Sequence, residues 1–382
     1  LPELGEENIQ EMSFDLFAYR ELKGIVPDCE DRYDQLERTM KLQDPYLTER
    51  FEEKQLEGFV GMMEGFLARL EDELMDFRAI EYKGIQKTEE ELINLFYFKF
   101  QNAPLLSRMD AIRDYCVDEY ETLLGRDLSE EELLIVQEKF DKMYVTKDIY
   151  KIYGWLLEEC GYPSLPDVEY EKRKLEYEDV FPVLYLKYRL TGKAVHNHIK
   201  HLVIDEMQEY NVFQFAVLKR LFACPKTILG DKNQVLLSEK PTFLGYMLSH
   251  VFPEAKLLSL TKSYRSTKEI TEFCSHIIGD TGIVPFEREG KEPVVKKERS
   301  RAAVLSDVQN AVAELDMTKY RTAAVLCRNE EEALFVYDSL KKDLPVTLIK
   351  ETTTVYCEGI LVMPAYFAKG LEFDAVVVCD MG

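Results

Sequence analysis

Four short segments set carboxylates, amides and a guanidinium at successive stations along this 382-residue chain. In Asp205-Glu206-Met207-Gln208-Glu209, directly after the apolar run Leu202–Ile204, one carboxylate can hold Mg²⁺ and the next can orient an attacking water. The stretch from Thr227 through Gly230-Asp231 ends on the amide of Gln234. Tyr264-Arg265 offers an aromatic face beside a cation, and Ala368-Lys369-Gly370-Leu371-Glu372-Phe373-Asp374 precedes the apolar Ala375–Val378. Metal-assisted phosphoryl transfer needs such a set: a metal ligand, a water-orienting group, a sensor near the terminal phosphate and a cation for the developing charge.

Singly, these segments are ordinary. Asp-Glu after a strand can be a helix cap or a surface pair, Gly-Asp is a common turn, and Tyr-Arg is a common helix entry. In this order, each at the end of a strand-like run, they are far more specific, because ligands of parallel α/β sheets bind at that edge. The phosphate-cradling Gly-x-x-x-x-Gly-Lys-Ser/Thr is missing. Gly192-Lys193 and Gly290-Lys291 lack both the upstream glycine and the following hydroxyl. The expectation is a piece of a longer enzyme, with the phosphate loop before Leu1; alone, the chain is expected to be inactive.

The elements around these segments change character along the chain. From about residue 30 to 162 the pattern is helical throughout. Leu56, Phe59, Val60, Met63, Phe66, Leu67, Leu70, Leu74 and Phe77 line one face of a long helix. Thr88 with Glu91, and Ser129 with Glu132, have capping-box spacing. A further helix ends at Gly161, ahead of Pro163 and Pro166. Beyond this linker, strand-like runs at Leu202–Ile204, Thr227–Leu229, Leu257–Leu260, Ala323–Leu326, Val346–Ile349, Ile360–Val362 and Ala375–Val378 are mostly separated by amphipathic stretches. That alternation predicts an α/β fold with a parallel sheet, and Gly279–Gly290 reads as a loop.

Bulk properties narrow the classes. With 46% hydrophobic residues the chain can bury sizeable cores, and no apolar run approaches the roughly 18–20 residues that cross a bilayer. Residues 1–170 hold 41 acidic and 19 basic side chains, whereas the rest is nearly neutral. An acidic block repels nucleic acid and suits a basic protein surface; it is also what solvated helix faces accumulate. The eight cysteines lack any C-x-x-C pair, which fits reduced thiols in a cytoplasmic protein. His196, His198 and His201 mimic a metal cluster, but a strand starting at His201 would scatter them, so no metal is expected there.

The four segments together resemble motifs II to V of superfamily 1 helicases of the UvrD/Rep type, over about residues 200–380. The resemblance implies RecA-like domains that use ATP and Mg²⁺. It implies that Asp205 coordinates Mg²⁺, Glu206 is the catalytic carboxylate, Gln234 reads the γ-phosphate, Tyr264 stacks on adenine, Arg265 is the arginine finger and Glu372 approaches the ribose, with Gln208 and Gly370 in the nucleotide-binding set. Met207 and Glu209 replace the usual Ala and Asp.

Four stretches are similar, more closely, to the HelD family of helicase-like ATPases associated with bacterial RNA polymerase: Leu1–Glu7, Leu175–Asp179 with Leu184–Lys187, Asp205–Phe215, and Met363–Gly370. DNA-translocating relatives usually carry Thr and His, which help grip single-stranded DNA, where this chain has Pro364 and Tyr366. This implies residues 1–29 and 166–263 as two pieces of a first RecA-like domain, 30–165 as an inserted all-α arm on the polymerase clamp, and 264–382 as an incomplete second domain. The favoured expectation is a monomeric motor that remodels or releases RNA polymerase. The alternatives are a 3′-to-5′ DNA helicase of repair acting on single-stranded DNA, and a non-catalytic protein-binding module.

Overall fold

The computed structural model describes residues 11–42, 45–192, 196, 198–231, 233–234, 247–279, 282–350, 353 and 358–380. Leu1–Glu7, Lys193 and Cys357 lie outside them. The chain divides into two compact units, residues 1–35 with 44–255 and residues 36–43 with 256–382.

The first unit is mostly helical. Its elements are α1 (Phe14–Leu22), β1 (Asp28–Cys29), the start of α2 (Arg32–Leu42), α3 (Pro45–Lys54), α4 (Glu57–Glu73), β2 (Ile80–Tyr82), β3 (Ile85–Lys87), α5 (Glu89–Asn94), α6 (Leu105–Leu124), α7 (Glu130–Asp141), α8 (Ile149–Glu159), β4 (Lys174–Leu175), α9 (Tyr177–Thr191), β5 (Leu202–Ile204), α10 (Val212–Leu221) and β6 (Lys226–Ile228). Both capping boxes form: Thr88 and Ser129 accept from the backbone of Glu91 and Glu132, whose carboxylates return to the cap backbone. In α4 the stripe Phe59, Met63, Phe66, Leu67 and Leu70 is buried, but the helix stops at Glu73, short of the expected Phe77.

One departure from the all-α expectation is the antiparallel hairpin of β2 and β3. Its two-residue turn puts Lys83 and Gly84 both at positive φ, 48° and 80°. That is the turn whose twist matches paired strands, and the alternation in Ile80-Glu81-Tyr82 already carried the signal.

Helix α9 is buried on every side from Tyr177 to Leu186, as expected of a helix running through a core. Leu22, Phe66, Ile112, Tyr153, Phe181 and Phe213 belong to one continuous apolar core, so the helices of residues 45–159 share it with α9 and α10. Each such buried side chain contributes about 1.5–3 kcal/mol. The core also encloses an ion pair: Lys54 Nζ lies 2.5 Å from Asp179 Oδ1, and the Tyr153 hydroxyl donates to the same oxygen at 2.5 Å.

The second unit contains β7 (Lys262–Ser263), α11 (Lys268–Ile278), β8 (Val284–Pro285), α12 (Arg301–Ala313), β9 (Thr322–Cys327), α13 (Glu330–Leu340), β10 (Val346–Leu348), β11 (Gly359–Pro364) and β12 (Ala375–Val378). Its main sheet has the order β10-β11-β9-β12, every neighbouring pair parallel. The central β9 and β11 are almost continuously buried, as two-sided strands must be. The fold is α/β and RecA-like.

Two expectations are corrected here. Leu257–Leu260 forms no strand; Leu258 and Leu260 are 86% and 96% exposed. An apolar run becomes a strand only where a neighbour supplies the hydrogen-bond ladder, and in this region the ladder belongs to β7. Its partner is β8, inside Gly279–Gly290, the stretch expected to be loop.

Candidate functional site

Asp205 to Glu209 leaves the end of β5, which pairs in parallel with β6 in the register Leu202↔Lys226 to Ile204↔Ile228. Both strands therefore deliver their exits to one edge. Leu229 N donates to Ile204 O at 2.8 Å and Met207 N to Leu229 O at 2.8 Å, lacing the exits together.

At Glu206 the backbone enters the left-handed region, with φ 51° and ψ 45°, a conformation that costs a non-glycine residue about 1–3 kcal/mol. Side chains hold it there. Glu206 N donates to Asp205 Oδ1 at 2.9 Å, and Gln208 Nε2 donates to Glu206 Oε2 at 2.5 Å. The other end of the same amide, Gln208 Oε1, accepts from Asp231 N at 3.0 Å. Gln208 is thus a brace between the Glu206 carboxylate and the turn after β6. Glu209 pairs with Arg32, and Gln234 donates through Nε2 to Asp231 Oδ2 at 2.9 Å.

The carboxylate of Asp205 is exposed at this edge. Among the described residues no cluster of three or more His, Cys, Asp or Glu side chains is placed to hold a metal. One carboxylate does not make a resident metal site, but it fits Mg²⁺, which is commonly held by one or two carboxylates together with substrate phosphates. In the histidine segment, His196 stacks on Phe222 at 5.2 Å and His201 Nε2 lies 2.9 Å from Thr227 Oγ1.

In the second unit, Arg265 Nε lies 2.7 Å from Glu372 Oε1, with both side chains more than half exposed. The two residues are partners here. Tyr264 is 64% exposed, and its ring leans on Phe286 at 5.2 Å. Glu372 lies just before β12, whose start is pinned by Asp374: this carboxylate accepts from Thr322 N at 3.0 Å and Arg321 N at 2.8 Å. Those donors hold its pKa below the usual carboxylate value. Gly370, at φ 77°, forms the preceding turn. Pro364 and Tyr366 are both buried, and the Tyr366 hydroxyl donates to the buried carboxylate of Glu37 on α2.

The structure thus gathers Asp205, Glu206, Gln208 and Gln234 in the first unit and Tyr264, Arg265, Gly370 and Glu372 in the second. Gly230, Asp374 and Glu37 had been assigned no role from sequence. Gly230 sits where a Cβ would fall 2.4 Å from Met207 Cγ and 2.6 Å from Gln208 Oε1. The signals available were a glycine at a strand exit and an aspartate two places beyond Glu372; nothing marked Glu37 out from other helix-surface glutamates.

No protein-family model matches the chain. Over 114 residues it is 30% identical to ATP-dependent DNA helicase Rep of Escherichia coli (strain K12), covering 28% of this chain and 17% of Rep. Over 78 residues it is 38% identical to "Putative ATP-dependent DNA helicase R568" of Acanthamoeba polyphaga mimivirus, covering 20% of this chain and 11% of that protein. The chain therefore spans less than a fifth of the length of the curated relatives it matches. These partial similarities support a helicase-like relationship of the UvrD/Rep type. No helix among the described residues is long and apolar enough to cross a membrane.

Proposed function

We propose that this chain carries the motif-bearing lobes of an ATP-dependent, helicase-like motor of the UvrD/Rep type and, within that class, one of the HelD kind that acts on RNA polymerase. The observation that carries the first part is the braced turn: an exposed Asp205, a Glu206 held in left-handed backbone, and Gln208 tying Glu206 to Asp231. Asp205 takes the Mg²⁺ that arrives with ATP, and Glu206 orients the attacking water. Gln234 senses the γ-phosphate. Tyr264 stacks on adenine, Gly370 lets the backbone turn toward the nucleotide, and Glu372 approaches the ribose. Arg265 acts as the finger once it leaves Glu372, and an exposed pair of this kind costs only about 0.2–1 kcal/mol to open. ATP and Mg²⁺ supply the transferable phosphoryl group and its charge neutralisation.

Two observations favour the polymerase reading over a DNA translocase. Tyr366, where translocases grip the strand, is 3% exposed and donates to Glu37. The first 170 residues carry 41 acidic against 19 basic side chains, a field that opposes a phosphate backbone. The acidic arm is proposed to dock on a basic protein surface.

In the complete protein, Glu206→Gln abolishes turnover and keeps nucleotide binding, because the amide preserves size and loses the charge that orients water. Cutting out residues 30–165 would open the shared core, so the partner is tested by replacing the exposed α7 carboxylates Glu130, Glu131 and Glu138 with lysine. Weakened co-purification with core RNA polymerase at unchanged basal ATPase supports the reading. ATPase stimulation by single-stranded DNA with no polymerase binding returns the protein to the conventional helicases.

A further inference from the structure

A cavity lies away from the braced turn, between α6, α9 and the end of α10, with a volume of about 310 Å³. Its lining residues include Leu105, Tyr188, one carboxylate residue, Glu71, and three arginines, Arg108, Arg189 and Arg220. The three cations are not equally engaged. Arg108 is buried, pairs with Glu71 and donates to the carbonyl of Gln101 at 3.0 Å, so it serves the fold. Arg189 pairs with Glu64 and donates to the Tyr185 hydroxyl at 3.3 Å. Arg220 is exposed and, among the described residues, no carboxylate pairs with it.

Arg189 and Arg220 share one neighbour. Their guanidinium carbons lie 5.9 Å and 6.0 Å from the Tyr185 ring centre, so two like charges from different helices sit around a single aromatic side chain. Burial and the nearby Arg220 push the pKa of Arg189 down. An anion between them would relieve that repulsion. The cavity is also flanked by the start of the 20-residue α6, whose N-cap Pro104 makes no side-chain capping bond, which adds a positive dipole end to the same wall.

We infer that this cavity is an anion site for a small ligand bearing two adjacent phosphate groups, held by Arg189 and Arg220 and faced by the start of α6. Arg220 presents a whole guanidinium fork, and Arg189, whose Nη1 is engaged by Glu64 and Tyr185, presents its remaining N–H donors, so that together they match two neighbouring oxyanion centres. The volume suits a small anion better than a large ligand. The diphosphate is either free or part of a nucleotide.

Calorimetric titration of the chain with inorganic pyrophosphate, and separately with ADP, tests this at fixed ionic strength. At least one of the two is expected to bind, with affinity falling about tenfold or more in Arg220→Ala and partly retained in Arg220→Lys. Binding of pyrophosphate alone identifies the free anion, and binding of ADP alone identifies the nucleoside form. Arg265→Ala separates the site from the proposed nucleotide edge, since it leaves this binding unchanged. Arg220 is exposed, so its replacement is expected to preserve the melting temperature. No binding of either ligand, or binding indifferent to Arg220→Ala, overturns the inference.

Discussion

Gln208 and Gly230 are in such close approach that a Cβ on residue 230 would lie 2.6 Å from the Gln208 side-chain oxygen. Gln208 also holds the Glu206 carboxylate and accepts from the backbone of Asp231. Any group added at residue 230 therefore presses on Met207 and on the brace together.

Gly230→Ala should displace Gln208 and loosen Glu206. Overpacking of this kind costs about 1–3 kcal/mol. In the complete protein the expected outcome is a drop in ATPase kcat larger than the modest fall in melting temperature would explain. Steady-state kinetics beside a thermal melt checks it, and unchanged kcat would separate the brace from turnover.

Arg265→Ala should behave oppositely to a structural mutation. Its partner Glu372 is 2.7 Å away, but both side chains are more than half exposed, so the melting temperature should barely move. Turnover in the complete protein should fall about 10³-fold or more if Arg265 is a finger. Comparable kcat in the variant and parent would reassign its role.

The 382-residue chain contains no Gly-x-x-x-x-Gly-Lys-Ser/Thr loop and should bind MgATP weakly and not hydrolyse it. The lysine and backbone amides that cradle the β- and γ-phosphates are the main contacts. Calorimetry giving micromolar MgATP affinity that persists in Arg220→Ala, and so does not come from the Arg189 and Arg220 anion site, would overturn this expectation.

Lys54→Ala should destabilise the first unit by about 3–5 kcal/mol, because it leaves a buried carboxylate without its cation. Asp179 sits 2.5 Å from both Lys54 Nζ and the Tyr153 hydroxyl. The double change Lys54→Met with Asp179→Leu should recover much of the loss. Urea unfolding of the single and double variants measures both.

Hydrogen bonds from Arg126 first, then from Lys83 and the Ser129 backbone, hold the Glu132 carboxyl far below its ordinary value. A depressed folded-state pKa gives stability that is complete above the unfolded value, near 4.3, and is lost as pH falls toward the folded one. Glu132→Gln should therefore lower the melting temperature at pH 7, and the gap from the parent should narrow below about pH 4. A gap independent of pH would mean that the charge of Glu132 is not what caps α7.

Much of this architecture was legible because local chemistry and global fold agree. Thr88 and Ser129 announce α5 and α7, and Leu202–Ile204 and Ala375–Val378 become strands at the stated residues. Failures came where tertiary pairing decides. Leu257–Leu260 has strand composition but no ladder, whereas Val284–Pro285 has little strand character and pairs with β7. At the candidate site, residue types could be read from spacing, but the pairing of Arg265 with Glu372 could not, since it joins residues more than 100 positions apart. The burial of Tyr366 against Glu37 is a similar long-range fact.

The left-handed backbone at Glu206 has a consequence for sequence drift. A turn with φ 51° and ψ 45° filters substitutions by shape before it filters them by charge. Glycine enters it freely, asparagine and aspartate tolerate it, and valine or isoleucine are penalised by their branched Cβ. Even in a descendant that had given up turnover, position 206 would not wander at random: it would slide toward small, turn-forming residues, and the loss of the carboxylate would leave the bend in the chain behind it.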